Sequence, residues 1–214
     1  MKIKALPFIF PLLLLLLVSC FGANVDITFN QNGSGTITLE YIVSRSLDSL
    51  GRLDGNERWN TIPVGRADFE RTLSRLPEMR LLSFSSREND RDLINSVKME
   101  FSSIRGLLAF LDAGGRRSSF SGDAVSGSLS LTLSEGNPSG SSSLNELISK
   151  ISASYAVNIS VTFPGEGSLA ILDRQGLAIS PGIEFNARGR TVSCSFPLYE
   201  ILSSRDGINL EFSW

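Results

Sequence analysis

The side chains that could do chemistry in this 214-residue chain are few, and their spacing narrows the chemistry further. There is no histidine. That removes Ser-His and Cys-His nucleophile pairs and the usual zinc sites together. The densest acidic group is Glu88, Asp90 and Asp92, at alternate positions of RENDRD. Alternation suits the oxygen ligands of a calcium loop, but Arg87 and Arg91 interleave, no glycine supplies the sharp turn, and no distal bidentate glutamate follows. A solvated hairpin tip fits these residues better. Ser149-Lys150 is an adjacent pair whose side chains diverge on a helix, which makes it a poor nucleophile and base. Gly114-Gly115-Arg116-Arg117 offers a basic lip for phosphate, and equally an ordinary helix end, where glycine stops the helix and cations suit the dipole. Trp59, in GNERWNTIPV, sits on an expected loop, either as a ligand or interface contact or folded back over the core. These residues predict no catalytic group, no metal site and no cofactor, hence a protein that is not an enzyme.

The two cysteines read differently. Cys194 alternates with Val192 and Phe196 in TVSCSF, the pattern of a small buried hydrophobe in a strand. Cys20 closes Leu17-Val18-Ser19-Cys20, after an apolar run from Ala5 to Val18 that follows Lys2 and Lys4. The run has the length of a secretory h-region and falls short of the roughly 20 residues a spanning helix needs. Pro7 and Pro11 each remove a helix donor from it.

The tetrad resembles the bacterial lipobox. That resemblance implies that residues 1–19 are a lipoprotein signal peptide. It implies too that the Cys20 thiol receives a diacylglycerol group, that cleavage falls before Cys20, and that the new amine takes a further chain such as palmitate. Each buried methylene contributes about 0.8 kcal/mol, so two or three chains hold a protein firmly on a membrane. An ordinary signal peptide cut near Ala23 is the alternative. With Cys20 acylated, Cys194 has no disulfide partner. Phe21 replaces the aspartate that retains some lipoproteins at the inner membrane, which favours the outer membrane of a bacterial cell envelope over the inner.

From Cys20 the chain runs 195 residues, a single domain's length. Without Lys2 and Lys4 it carries 18 basic against 22 acidic residues and no basic tract. Such a balance argues against nucleic acid as a partner and against a strong grip on anionic headgroups.

Periodicity supplies the elements. Val25, Ile27 and Phe29, then Ile37, Leu39, Tyr41 and Val43, alternate around the turn-rich NQNGSG and predict a hairpin. The ordered domain thus begins within a few residues of the anchor. Further strands are expected at 81–86, 93–101, 129–133, 155–163, 169–172, 192–196 and 208–214. Helices are expected at 44–50, 66–76, 104–111 and 144–151, with a short one near Leu198. NPSGSSS and its neighbours form a Ser/Gly-rich connection near 134–143. Ile208, Leu210, Phe212 and Trp214 alternate like a closing barrel strand, but the helices favour a core strand. The fold expected for 20–214 is a single α+β domain. An antiparallel sheet built from hairpins carries three or more short amphipathic helices on one face.

From Val25 onward, the hairpin VDITFNQNGSGTITLEYIV, the strand end VTFPG at Val161–Gly165 and RTVSCSFPL at Arg190–Leu198 resemble the LppM-like domain of bacterial membrane lipoproteins. The resemblance implies an envelope lipoprotein with an α+β ectodomain, associated with lipid or glycolipid binding. The expected function is therefore non-enzymatic: a domain anchored through Cys20 that binds a hydrophobic or amphipathic ligand, or a partner, at the membrane face. A structural or assembly role through envelope-protein contacts is the alternative. A ligand cavity of a few hundred cubic ångströms between sheet and helices would mark the first, and an exposed apolar patch or free sheet edge the second.

Overall fold

The computed structural model describes residues 21–44, 65–90, 92–112, 114–136, 152, 155–179 and 184–214. Cys20 and the leader lie outside those residues. So do the helix expected after Ser44, Trp59, the NPSGSSS link, the helix expected at 144–151 and the Ser149-Lys150 pair.

Eleven strands and three helices are defined among the described residues. In chain order they are β1 (Phe21–Phe29), β2 (Gly35–Ser44), α1 (Arg66–Leu73), β3 (Met79–Glu88), β4 (Asp92–Phe101), α2 (Ile104–Leu111) and β5 (Ser118–Gly122). Then follow β6 (Gly127–Ser134), β7 (Ala156–Thr162), β8 (Ser168–Leu172), β9 (Glu184–Arg188), β10 (Thr191–Pro197), α3 (Leu198–Ser203) and β11 (Ile208–Ser213).

The first hairpin pairs in full from Phe21↔Val43 to Phe29↔Gly35. Its alternation sends Ile27, Phe29, Ile37 and Tyr41 inward and leaves Asp26 and Thr28 in solvent. The turn places Gly33 at φ 78°, and the Asn32 side-chain oxygen accepts from the Ser34 amide at 3.1 Å. Gly35 is required by packing. A Cβ there would overlap the Thr28 carbonyl oxygen and the ring of Phe101, its register partner in β4. The second hairpin, β3 with β4, adds to β2, and a bulge at Leu82 leaves that side chain exposed.

These strands belong to a seven-stranded sheet in the order β3-β4-β2-β1-β7-β10-β9. Every pairing is antiparallel except β1 with β7, which are parallel from Ala23↔Val157 to Thr28↔Thr162. A four-stranded antiparallel sheet, β5-β6-β11-β8, stands beside it.

The molecule is therefore mixed α+β and mostly antiparallel, but it is not one sheet under a layer of helices. Two sheets face each other. The reason lies in Leu129, Leu210 and Phe212, each fully buried, with Phe120, Leu169 and Ile171 beside them. Together they give the small sheet one apolar face, which needs a partner. Its aromatics meet those of the large sheet. Phe163 stacks on Trp214 at 4.8 Å and on Phe29 at 5.9 Å, and lies 6.1 Å from Phe212. Trp214 also donates its indole N–H to the Ala124 carbonyl at 3.2 Å. β11 is thus a central strand of the small sheet.

Helices α1 and α2 cover β3 and β4, while α3 packs on β10 and β6. α1 buries Phe69 and Leu73. α2 starts on Ser103, whose hydroxyl accepts from the Gly106 amide at 3.1 Å, and buries Ile104, Gly106 and Leu107. No helix among the described residues is long and apolar enough to cross a membrane.

Candidate functional site

Those chemistry-bearing groups singled out from sequence that fall among the described residues do not converge. Glu88 ends β3 and Asp92 begins β4, so RENDRD is the tip of their hairpin. Asn89 closes it: its side-chain oxygen accepts from the Asp92 amide at 2.7 Å. No group of three potential metal-ligating side chains gathers among the described residues.

After α2, the Asp112 carboxylate takes the amides of Arg117 and Ser118, the latter at 2.9 Å. Those bonds hold its pKa below the ordinary carboxylate value, the Arg117 amide foremost. The amides a phosphate would use after Gly114-Gly115 are therefore engaged. The Arg117 guanidinium pairs with Glu135 at 3.2 Å.

Cys194 lies in β10 between Ile159 and Phe185 of the flanking strands and is 3% exposed. Burial alone pushes its thiol up to about 12. Burial, then the charge of Asp68, also raises the Tyr41 hydroxyl well above its usual value, with the Asn95 amide acting in the opposite sense.

Two hollows lined by described residues lie on the outside. One is a cleft of about 380 Å³ between α1 and α2, lined by Arg71, Thr72, Arg75, Leu76, Ala109 and Phe110. Leu76 and Phe110 form its apolar floor, and two guanidinium groups stand at its rim. Arg71 is shared with Asp68 at 3.4 Å, and Arg75 makes no ion pair among the described residues. The Met79 amide donates to the Leu76 carbonyl, and Met79 lies in register with Phe101, Gly35 and Phe29. The cleft therefore belongs to the end of the large sheet opposite Phe21.

The other hollow is a shallow trough of about 610 Å³ across β1, β7, β10 and β9. Strand register sets its walls. Asn24, Asn158, Ser195 and Glu184 form one row, and Asp26, Ser160, Ser193 and Asn186 the next. Between the rows lie Val25, Ile159, Cys194 and Phe185. Ile159 and Cys194 are 5% and 3% exposed because they point to the core, so the floor is peptide backbone.

In the first row, Asn158 donates to Asn24 at 2.7 Å and Asn24 to Glu40 at 3.3 Å. The four side chains of the second row make no hydrogen bond among the described residues. The residues on β1, β7 and β10 were legible as the polar half of alternating strands; Glu184 and Asn186 were not, because β9 is exposed throughout. The strand order that brings 24–26, 158–160 and 193–195 side by side was not, because a parallel pairing across 130 residues leaves no local trace.

No family model matches the chain, and no curated protein matches it. Among solved structures it is similar to the folded domain of the LppM protein of Mycobacterium tuberculosis, determined by NMR. The TM-score is 0.45 and the sequence identity 11%, over 91% of this chain and 88% of that one. The likeness is distant.

Proposed function

We propose that this chain is a non-enzymatic lipoprotein of the bacterial cell envelope, held on a membrane by diacylglycerol on Cys20, whose domain binds an anionic amphipathic ligand. The observation that carries the binding reading is the cleft between α1 and α2. An acyl chain lies on Leu76, Ala109 and Phe110, and its acidic headgroup meets Arg71 and Arg75. The strand that starts at Phe21 supports a short tether, since ordered backbone follows Cys20 without a linker. The outer membrane is the proposed site, from Phe21 in place of aspartate after the cysteine.

The test is native mass spectrometry of the full chain extracted in mild detergent. A retained anionic lipid, lost in Arg75→Glu and in Phe110→Asp, is the expected result. A chain free of lipid that takes up no added phosphatidylglycerol overturns it. Labelled palmitate incorporated by the parent and not by Cys20→Ser tests the anchor separately.

A second reading, an assembly component acting through protein contacts, draws on β9. All five of its residues are exposed, Phe185 is 50% exposed, and its outer edge carries no described strand. Crosslinking from Phe185 to a single envelope protein, with the cleft empty, would favour that role.

A further inference from the structure

We infer that the trough on the outer face of the large sheet is a binding site for an uncharged, polyhydroxylated chain, a strand of neutral polysaccharide lying beyond the membrane surface. Three features lead there.

The first is composition. The walls present amides, hydroxyls and the carboxylates of Asp26 and Glu184 with no cation, and the half-exposed Phe185 of the lining shares the core-side register of Cys194. A polyanion is repelled, and an acyl chain finds nothing to bury against. Hydroxyls suit these walls, because each sugar OH both donates and accepts.

The second is how the groups are used. One row is tied to itself through Glu40, Asn24 and Asn158. The other, Asp26, Ser160, Ser193 and Asn186, keeps its donors and acceptors for water or a ligand. The rows stand about 7 Å apart and cross three strand spacings, about 14 Å, on a floor of strand backbone. That is an extended slot and not a pocket for a compact molecule.

The third is height, and this part rests on the anchoring proposed above. Asn24 and Asp26 follow Cys20 by four and six residues of extended chain, about 13–20 Å at about 3.3 Å each. The headgroup layer of one leaflet is only about 5–8 Å deep. The trough therefore stands clear of lipid headgroups, where a polymer outside the bilayer is the available polyol. Each contact exchanges one with water, so a dissociation constant of about 1 mM is expected for a short oligomer.

The experiment uses the full chain in dodecylphosphocholine, a detergent without sugar. Its side-chain amide NMR signals are followed during titration with the hexamers of N-acetylglucosamine and of glucose. Saturable shifts at Asn186 and Asn158 are expected. Ser193→Trp, which fills the slot from a solvent-facing position, should weaken binding at least tenfold. Asn186→Lys, on the exposed edge strand, should do the same if the tryptophan variant fails to fold. Arg75→Glu should bind sugar as the parent does.

No saturable shift up to about 20 mM overturns the proposal. So does binding that survives both trough variants, or a preference for dextran sulfate or phosphatidylglycerol vesicles. A chain that binds the hexamer but carries no lipid on Cys20 refutes the anchor alone. A lipidated chain that binds no hexamer refutes the trough alone.

Discussion

Asn158 donates its side-chain amide to the Asn24 oxygen at 2.7 Å, across the parallel junction of β1 and β7 that joins the first hairpin to the later strands. Asn24 passes the chain to Glu40 at 3.3 Å. Asn24→Ala and Asn158→Ala should each destabilise the protein by about 0.5–1.5 kcal/mol, at the lower end because the pair is partly solvated. The double variant should cost less than the sum, by about 0.5 kcal/mol in urea unfolding. Strict additivity would mean that the two amides act alone.

Asn95 faces Tyr41 across β4 and β2, is fully buried, and has no hydrogen bond of good geometry at either end of its amide among the described residues. A buried polar group in that state costs about 1–3 kcal/mol. Asn95→Leu, close to it in volume, should therefore raise stability by about 1–2 kcal/mol. A loss of 1 kcal/mol or more, on the order of a broken buried bond, would show that the amide has a partner in solution.

The Cys194 thiol should be silent in the folded chain. Burial lifts its pKa from 9.0 to about 12, so the thiolate fraction near pH 8 falls about a thousandfold. In a Cys20→Ser chain, Ellman's reagent should report no thiol until denaturant is added and one thereafter. Ready reaction under native conditions would mean that β10 opens easily.

Acid should loosen two turns before it reaches the core. Asp112 holds the Arg117 and Ser118 amides, and Asp123 takes those of Val125 and Ser126 at 2.8 and 3.0 Å. Both pKa values are lowered from 3.8 by these bonds, with the Ser126 amide leading for Asp123. A lowered folded pKa stabilises above the unfolded value and is lost as pH falls through the folded one. Thermal midpoints should thus be level down to about pH 4 and drop below it. Asp112→Asn and Asp123→Asn should flatten that drop, and an unchanged acid limb in both variants would exclude these turns as its source.

How much of this was legible depended on whether the signal was local. The hairpin at 25–43, the helix at 104–111, the buried role of Cys194 and the hairpin tip at RENDRD all follow from neighbours in sequence, and the structure has them. β5 and β9 were missed. Ser118–Gly122 has a single apolar residue, and Glu184–Arg188 is exposed throughout, so neither shows alternation against a core. The second sheet was missed for a related reason. Its strands read correctly, but periodicity names a buried face and not what buries it. Arg71 and Arg75 fall within the stretch expected as helix at 66–76, but the periodicity of one helix does not show that α2 lies beside it.

The position of β1 has a mechanical consequence. It lies inside the large sheet, with β2 on one side and β7 on the other, and the chain enters it at Phe21. A lipid on Cys20 would pull along the strand axis, loading both sets of hydrogen bonds in shear. Those bonds must then fail together, whereas a strand at the rim would unzip one bond at a time. An anchor so placed resists extraction with the strength of the sheet's middle, and the domain would leave the membrane whole before it began to unravel.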